Sequence, residues 1–339
     1  MEKKYELDII DYIKVDKRIL YRIVACKDFA DIKKGDKGGY IESEENLSHL
    51  GNAWVYDNAK VYGDAEVSGN AEVSGNALVY GNAFISGSAE VYENAEVYYN
   101  AKVYGDALVH GDAHVSGNAC VIEYAHVYGN AWVGENAKVS GNAEIFGRAQ
   151  VTEYSRVFGN ACVCGNAQVF GNARVSGEAR VIEYAHVFGN ARACGKAKIS
   201  GNTRVSEYAY LSGNACVFDN AWVCGNALVL GNAEVSGHVH VSGNAEISGD
   251  ARISRIEDYF CAQEFGSRGR TTTFFREKNS WRVVCGCFLG TIEEFRKKVK
   301  ETHGDSLIAQ EYLLIADLME LRIKRIEVDF KKKIINNSI

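Results

Sequence analysis

The chain has 339 residues, a formal net charge of −6, ten cysteines and no proline. That balance argues against a wholly basic nucleic-acid binder. No apolar run approaches a membrane span, and Met1–Tyr5 leads into no secretory apolar core. The scattered cysteines, none in a CxxC pair, fit a reducing cytoplasm and small filler residues better than a metal site.

Residues 1–48 precede the repeat. Leu7–Val15 and Ile19–Ala25 read as two strands around Asp16-Lys17, a β-hairpin suited to capping the exposed edge that follows.

From Ala53 to Ala251 the chain keeps Ala at every sixth position, and 33 steps of one register make 34 hexads. The shared position departs from Ala only at Ser155, Thr203 and Val239. An aliphatic residue, nearly always Val, stands two places after each, and Ala193 is the sole exception. Residues two apart on a strand point the same way, so Ala and Val face inward and the residue between them faces out. The Gly-Asn that follows tolerates positive φ and bends the chain. A fixed short period of this kind makes a solenoid, whose repeats bury their apolar faces only by stacking. Without proline, nearly every N–H is free to serve the ladder.

This unit, as in Val67-Ser68-Gly69-Asn70-Ala71-Glu72-Val73, resembles the hexapeptide-repeat family. The resemblance implies an all-β solenoid: a left-handed parallel β-helix of about 11 triangular coils, with three hexads in each 18-residue coil. The N-terminal segment through Trp54-Val55-Tyr56 is similar to the start of bacterial and phage hexapeptide-repeat proteins, some of which carry an acyltransferase label.

Residues 256–339 change composition. Asp258–Phe265, Thr271–Arg276 and Trp281–Phe288 read as strands. Thr291-Ile292-Glu293-Glu294 opens a helix as a capping box. A second helix begins near Ser306, with Ile308, Leu313, Ile315, Leu318 and Leu321 as its apolar residues. The runs Cys285–Thr291 and Glu301–Asp305 resemble a C-terminal module common in phage and prophage proteins. The expected domains are therefore a hairpin cap at 1–48, a β-helix at 49–255 and an α+β module at 256–339.

Two functional readings follow. Enzymes of the resembled family use a His general base on acyl-CoA, which implies acetyl-CoA as cofactor. The candidate bases are His126 and His186, in the matching segments Glu123–Val127 and Glu183–Val187. No inserted loop supplies a pocket around them. The Glu-Tyr turns ending at Tyr124, Tyr154, Tyr184 and Tyr208 stand 30, 30 and 24 residues apart, so the four do not form one column.

The preferred reading is non-catalytic and needs no cofactor: a cytoplasmic scaffold or binding rod. Outward residues 18 apart give one column with Lys138, Arg156, Arg174 and Arg192 in consecutive coils. Residues 51–143 carry 11 acidic and 3 basic groups, while 144–206 carry 4 and 8. Arg suits phosphate, and an anionic partner would relieve the repulsion within such a band. The plainer alternative is a solvated face compensated by Glu144, Glu178 and Glu183. Arg268 and Arg270, in the Gly-rich stretch Gly266–Thr273, are a second anion-friendly feature. The expected partner is a protein or a phosphate-bearing ligand and not a membrane; a homo-oligomer stays open, although no apolar face of the rod points to one.

Overall fold

The computed structural model describes residues 3–278 and 280–336. The chain divides into two compact units, one ending at Gly195 and the other beginning at Lys196.

The first unit opens with strands β1 (Tyr5–Val15) and β2 (Arg18–Ala25), an antiparallel hairpin turning at Asp16, whose φ is 51°. Strand β3 (Lys37–Ile41) pairs antiparallel with β2 and parallel with Lys60–Val61, so the hairpin sheet joins the solenoid edge. That edge is plugged by buried side chains. Tyr5 donates its hydroxyl to the Leu47 carbonyl at 2.7 Å, and Trp54 packs edge-on against Phe29.

Twenty-four two- to four-residue rungs follow, from Trp54–Val55 to Arg192–Ala193. Each rung as far as Arg174–Val175 pairs in parallel with the rung 18 residues on, as Lys138–Val139 does with Arg156–Val157. Three rungs thus make one turn, and the outward residues align in three sets of columns. The inward Ala and Val side chains are almost wholly shielded from solvent. Each buried Val contributes roughly 1.5–3 kcal/mol. At the shared position Ser155 is also buried, and its hydroxyl donates to the Thr152 carbonyl at 2.7 Å.

The bends need the left-handed region. Gly111 has a φ of 71°, and a Cβ there would lie 2.8 Å from the Gly129 amide nitrogen. Where Glu replaces the turn Gly, it takes the same conformation, as at Glu93 (φ 60°, followed by Asn94) and Glu123 (φ 63°, followed by Tyr124). Its carboxylate then accepts the glycine N–H one turn later: Glu93 from Gly111 at 2.8 Å, Glu123 from Gly141 at 2.6 Å.

The second unit begins with ten rungs, Lys198–Ile199 to Arg252–Ile253. It continues into a four-stranded antiparallel sheet formed by Tyr259–Phe265, Arg270–Arg276, Trp281–Cys285 and Phe288–Thr291. The third strand expected from sequence is interrupted, because Gly286 turns the chain at a φ of 62°. Cys285 and Cys287 therefore do not share one strand. Helix α1 (Ile292–His303) has the expected reciprocal cap between Thr291 and Glu294. Helix α2 (Leu307–Asn336) packs Ala309, Tyr312, Ile315, Ala316 and Met319 against Phe274, Val283 and Phe295. Leu318 and Leu321, grouped by sequence with the apolar residues of this helix, instead face solvent.

Candidate functional site

The solenoid fixes the cationic column rigidly, because each cation projects from a rung whose inward neighbour is locked in the core. Lys138 lies directly across from Arg156, Arg156 from Arg174, and Arg174 from Arg192. Cys120 precedes them and pairs with both Lys102 and Lys138. All four cations are exposed. Adjacent rungs are ~4.8 Å apart, well inside the ~8 Å screening length at physiological salt.

Among the described residues, none of the four cations makes an ion pair. Glu144 is not their counter-charge, since it sits on a different sheet between His126 and Cys162. Lys138, Arg156 and Arg174 line a shallow concavity of about 300 Å³ with Asn136, Tyr154 and Asn172 along its corner. Asn118 donates to the Asn136 side-chain carbonyl at 3.1 Å, which holds that corner amide in place. Tyr154 stands out into solvent beside Glu153, which occupies a left-handed turn (φ 59°). The site thus offers cations on rungs in register, amide and hydroxyl donors and one aromatic face. Periodicity alone gave the cations. Asn136, Tyr154 and Asn172 were missed, although each stands two residues before a column member.

The two candidate bases lie on different faces. His126 pairs across from Leu108 and Glu144, and His186 from Gln168 on another sheet. His126 joins a stack of rings. Tyr92, His110, Tyr128 and Phe146 follow one another at centroid separations of 4.5, 5.2 and 4.8 Å. The His126 Nε2 meets the His110 Nε2 at 2.6 Å, and His110 Nδ1 lies 3.5 Å from a Glu93 carboxylate oxygen. Burial and the neighbouring His110 lower the His126 pKa, opposed by Glu144. His186 rests edge-on to Phe170 at 6.5 Å. These contacts describe ring packing, with the reactive His126 nitrogen already occupied.

In the second unit, Arg268 and Arg270 rim a cavity of about 370 Å³ completed by Lys298 and His303 from α1, over a floor of Phe288 and Phe295. The two runs singled out by resemblance, Cys285–Thr291 and Glu301–Asp305, are brought together here. Lys298 and His303 were not foreseen, because only the packing of α1 on the sheet turns them toward the arginine loop. Burial and the adjacent Cys285 push the Tyr312 hydroxyl up to about 12, so it remains a neutral donor.

Among the described residues no group of three or more His, Cys, Asp or Glu side chains could hold a metal, and no helix is long and apolar enough to cross a membrane. A family model described as YdcK Beta solenoid repeat matches residues 167–183, so this short stretch is similar to that repeat. No curated protein matches the chain significantly.

Proposed function

We propose that this protein is a non-catalytic binding scaffold, and that the Lys138–Arg192 column holds a phosphate-bearing chain running along the solenoid. One observation carries the reading: four consecutive, unpaired cations are fixed at rung spacing beside hydrogen-bond donors. Like charges on adjacent strands repel, so the arrangement costs stability that a polyanion would restore. Guanidinium groups match phosphate oxygens in a fork, and the exposed Tyr154 ring offers a face on which an unpaired base can stack. The cavity of Arg268, Arg270, Lys298 and His303 supports a second site for a small anion in the same binding role.

The free cysteines support a reducing, cytoplasmic setting. The unbroken hexads support a left-handed hexapeptide-repeat helix, with the phage or prophage origin that its resemblance implies. Fluorescence anisotropy with a labelled single-stranded oligonucleotide tests the reading. Arg156, Arg174 and Arg192 changed together to Ser should abolish binding at low salt. Each single change should flatten the log–log salt dependence by about 0.7. Affinity unchanged in the triple variant overturns the proposal.

The alternative is acyl transfer from acetyl-CoA with His126 or His186 as base. No geometric observation favours it, since His126 is engaged with His110. Saturable heat on acetyl-CoA titration, lost in His126→Phe or His186→Phe, would establish it instead.

A further inference from the structure

Helix α2 buries one face and leaves another bare. Leu307, Leu314, Leu321 and Val328 recur every seventh residue and are 78%, 66%, 67% and 49% exposed. Leu318, 53% exposed, lies beside them. A seven-residue apolar repeat forms a continuous seam along a helix. A bare seam of this length is an interaction surface, because isolated exposed leucines are ordinary but aligned ones are not. The opposite face is already spent on the sheet and α1 through Tyr312, Ile315, Ala316 and Met319.

We infer that α2 pairs with α2 of a second copy of this chain, in antiparallel orientation, centred on Leu318 and Leu321. The charges beside the seam select both occupant and direction. Four residues beyond each seam position stand Glu311, Leu318, Arg325 and Lys332. In a parallel pair each faces its own copy, giving Glu against Glu, Arg against Arg and Lys against Lys. Antiparallel pairing about the midpoint of Leu318 and Leu321 sets Leu318 against the second copy's Leu321. It also carries Glu311 toward the stretch of the second helix that bears Arg325 and Lys332. Like charges in register are repelled and opposite ones are drawn together, so the sequence favours one direction. Glu311 also accepts the Gly266 N–H at 3.3 Å, and Asp317 and Glu320 both pair with Arg296 on α1, which leaves the basic half of α2 in excess. A groove of about 410 Å³ lined by Phe260, Leu318, Leu321 and Arg325 gives the partner's leucines a recess to enter. This inference is independent of the anion-binding reading.

Light scattering after size exclusion should return twice the 37.3 kDa chain mass. Leu318→Glu with Leu321→Glu should return a folded monomer with the wild-type circular-dichroism spectrum, because both side chains are solvent-facing within one copy. Its melting temperature should lose the concentration dependence of the dimer. A photoreactive benzoylphenylalanine at position 314 should cross-link to the region of Arg325, identified by mass spectrometry. A monomer at 100-fold dilution series up to saturating concentration, a trimer, a dimer that survives the double substitution, or a cross-link from 314 to 314 each overturns the inference.

Discussion

His110 and His126 meet Nε2 to Nε2 at 2.6 Å, with one ring donating and the other accepting. Such a contact tolerates at most one protonated imidazole. Because burial and His110 lower the His126 pKa below its ordinary 6.5, the unfolded chain binds the proton first as pH falls. Stability is therefore full above pH 6.5 and declines below it, with a slope of up to about 1.4 kcal/mol per pH unit for one proton. Melting temperatures at pH 7.5 and 5.5 should show a larger drop in the wild type than in His126→Phe, which keeps the ring but cannot titrate. Equal drops would exclude the pair as the source.

Lys4, at the N-terminal edge of the solenoid, gives an effect of the same sign at alkaline pH. Its buried ammonium donates to the Ala53 carbonyl at 2.7 Å, and burial, aided by Lys27, pushes its pKa down to about 8 from 10.5. Between those values the folded chain has released a proton that the unfolded chain retains, so stability rises with pH across that window. Above pH 10 the raised pKa values of Tyr5, Tyr56 and Tyr80 oppose the rise, since the unfolded tyrosines ionise first. The thiols of Cys162, Cys216, Cys224 and Cys261, also raised by burial, oppose the rise within the Lys4 window itself, so the test is a difference. The denaturant midpoint of wild type relative to Lys4→Met should grow from pH 7.5 to 9.5, and a constant difference would exclude Lys4 as a source.

Glu123 separates two contributions at one turn. Its φ of 63° costs roughly 1 kcal/mol for a residue with a Cβ, while its carboxylate accepts the Gly141 N–H at 2.6 Å. Glu123→Ala keeps the strain and loses the bond, so it should destabilise by about 1–2 kcal/mol. Glu123→Gly loses the bond and the strain together and should lie within about 0.5 kcal/mol of wild type. Urea unfolding of both variants checks the pair. Equal losses would show that the carboxylate bond carries the whole effect.

Removing Arg174, flanked by Arg156 and Arg192, should raise stability slightly because it relieves two like-charge neighbours. The gain in Arg174→Ser should be a few tenths of a kcal/mol at low ionic strength and should vanish near 1 M salt, where screening falls to ~3 Å. Thermal melts at the two salt concentrations measure it, and a salt-independent gain would point to something other than repulsion.

The repeat was legible because a single rule, an inward Ala and Val with a turn after them, sets every rung. Position modulo 18 then placed Lys138, Arg156, Arg174 and Arg192 side by side, as the ladder shows. Glu123 and Glu207 of the Glu-Tyr turns were not legible as bond acceptors, because the partner glycines, Gly141 and Gly225, lie one turn away in space. In the second unit the rule ends. Leu318 and Leu321 have the same apolar character as Ile315, and only packing against Phe274 and Phe295 decides which face is inside. The interruption at Gly286 hid within an apolar run for a similar reason. Its glycine is readable as a turn only once the antiparallel register of Trp281–Cys285 with Phe288–Thr291 is known.

Three rungs per 18 residues quantise how this molecule can change length. Gain or loss of a single six-residue module preserves the buried Ala and Val yet swings everything downstream through a third of a revolution. Only whole revolutions keep a vertical row intact. A lineage that needs its cations aligned is thereby confined to coarse steps of 18, whereas one that needs only a spacer can drift by six.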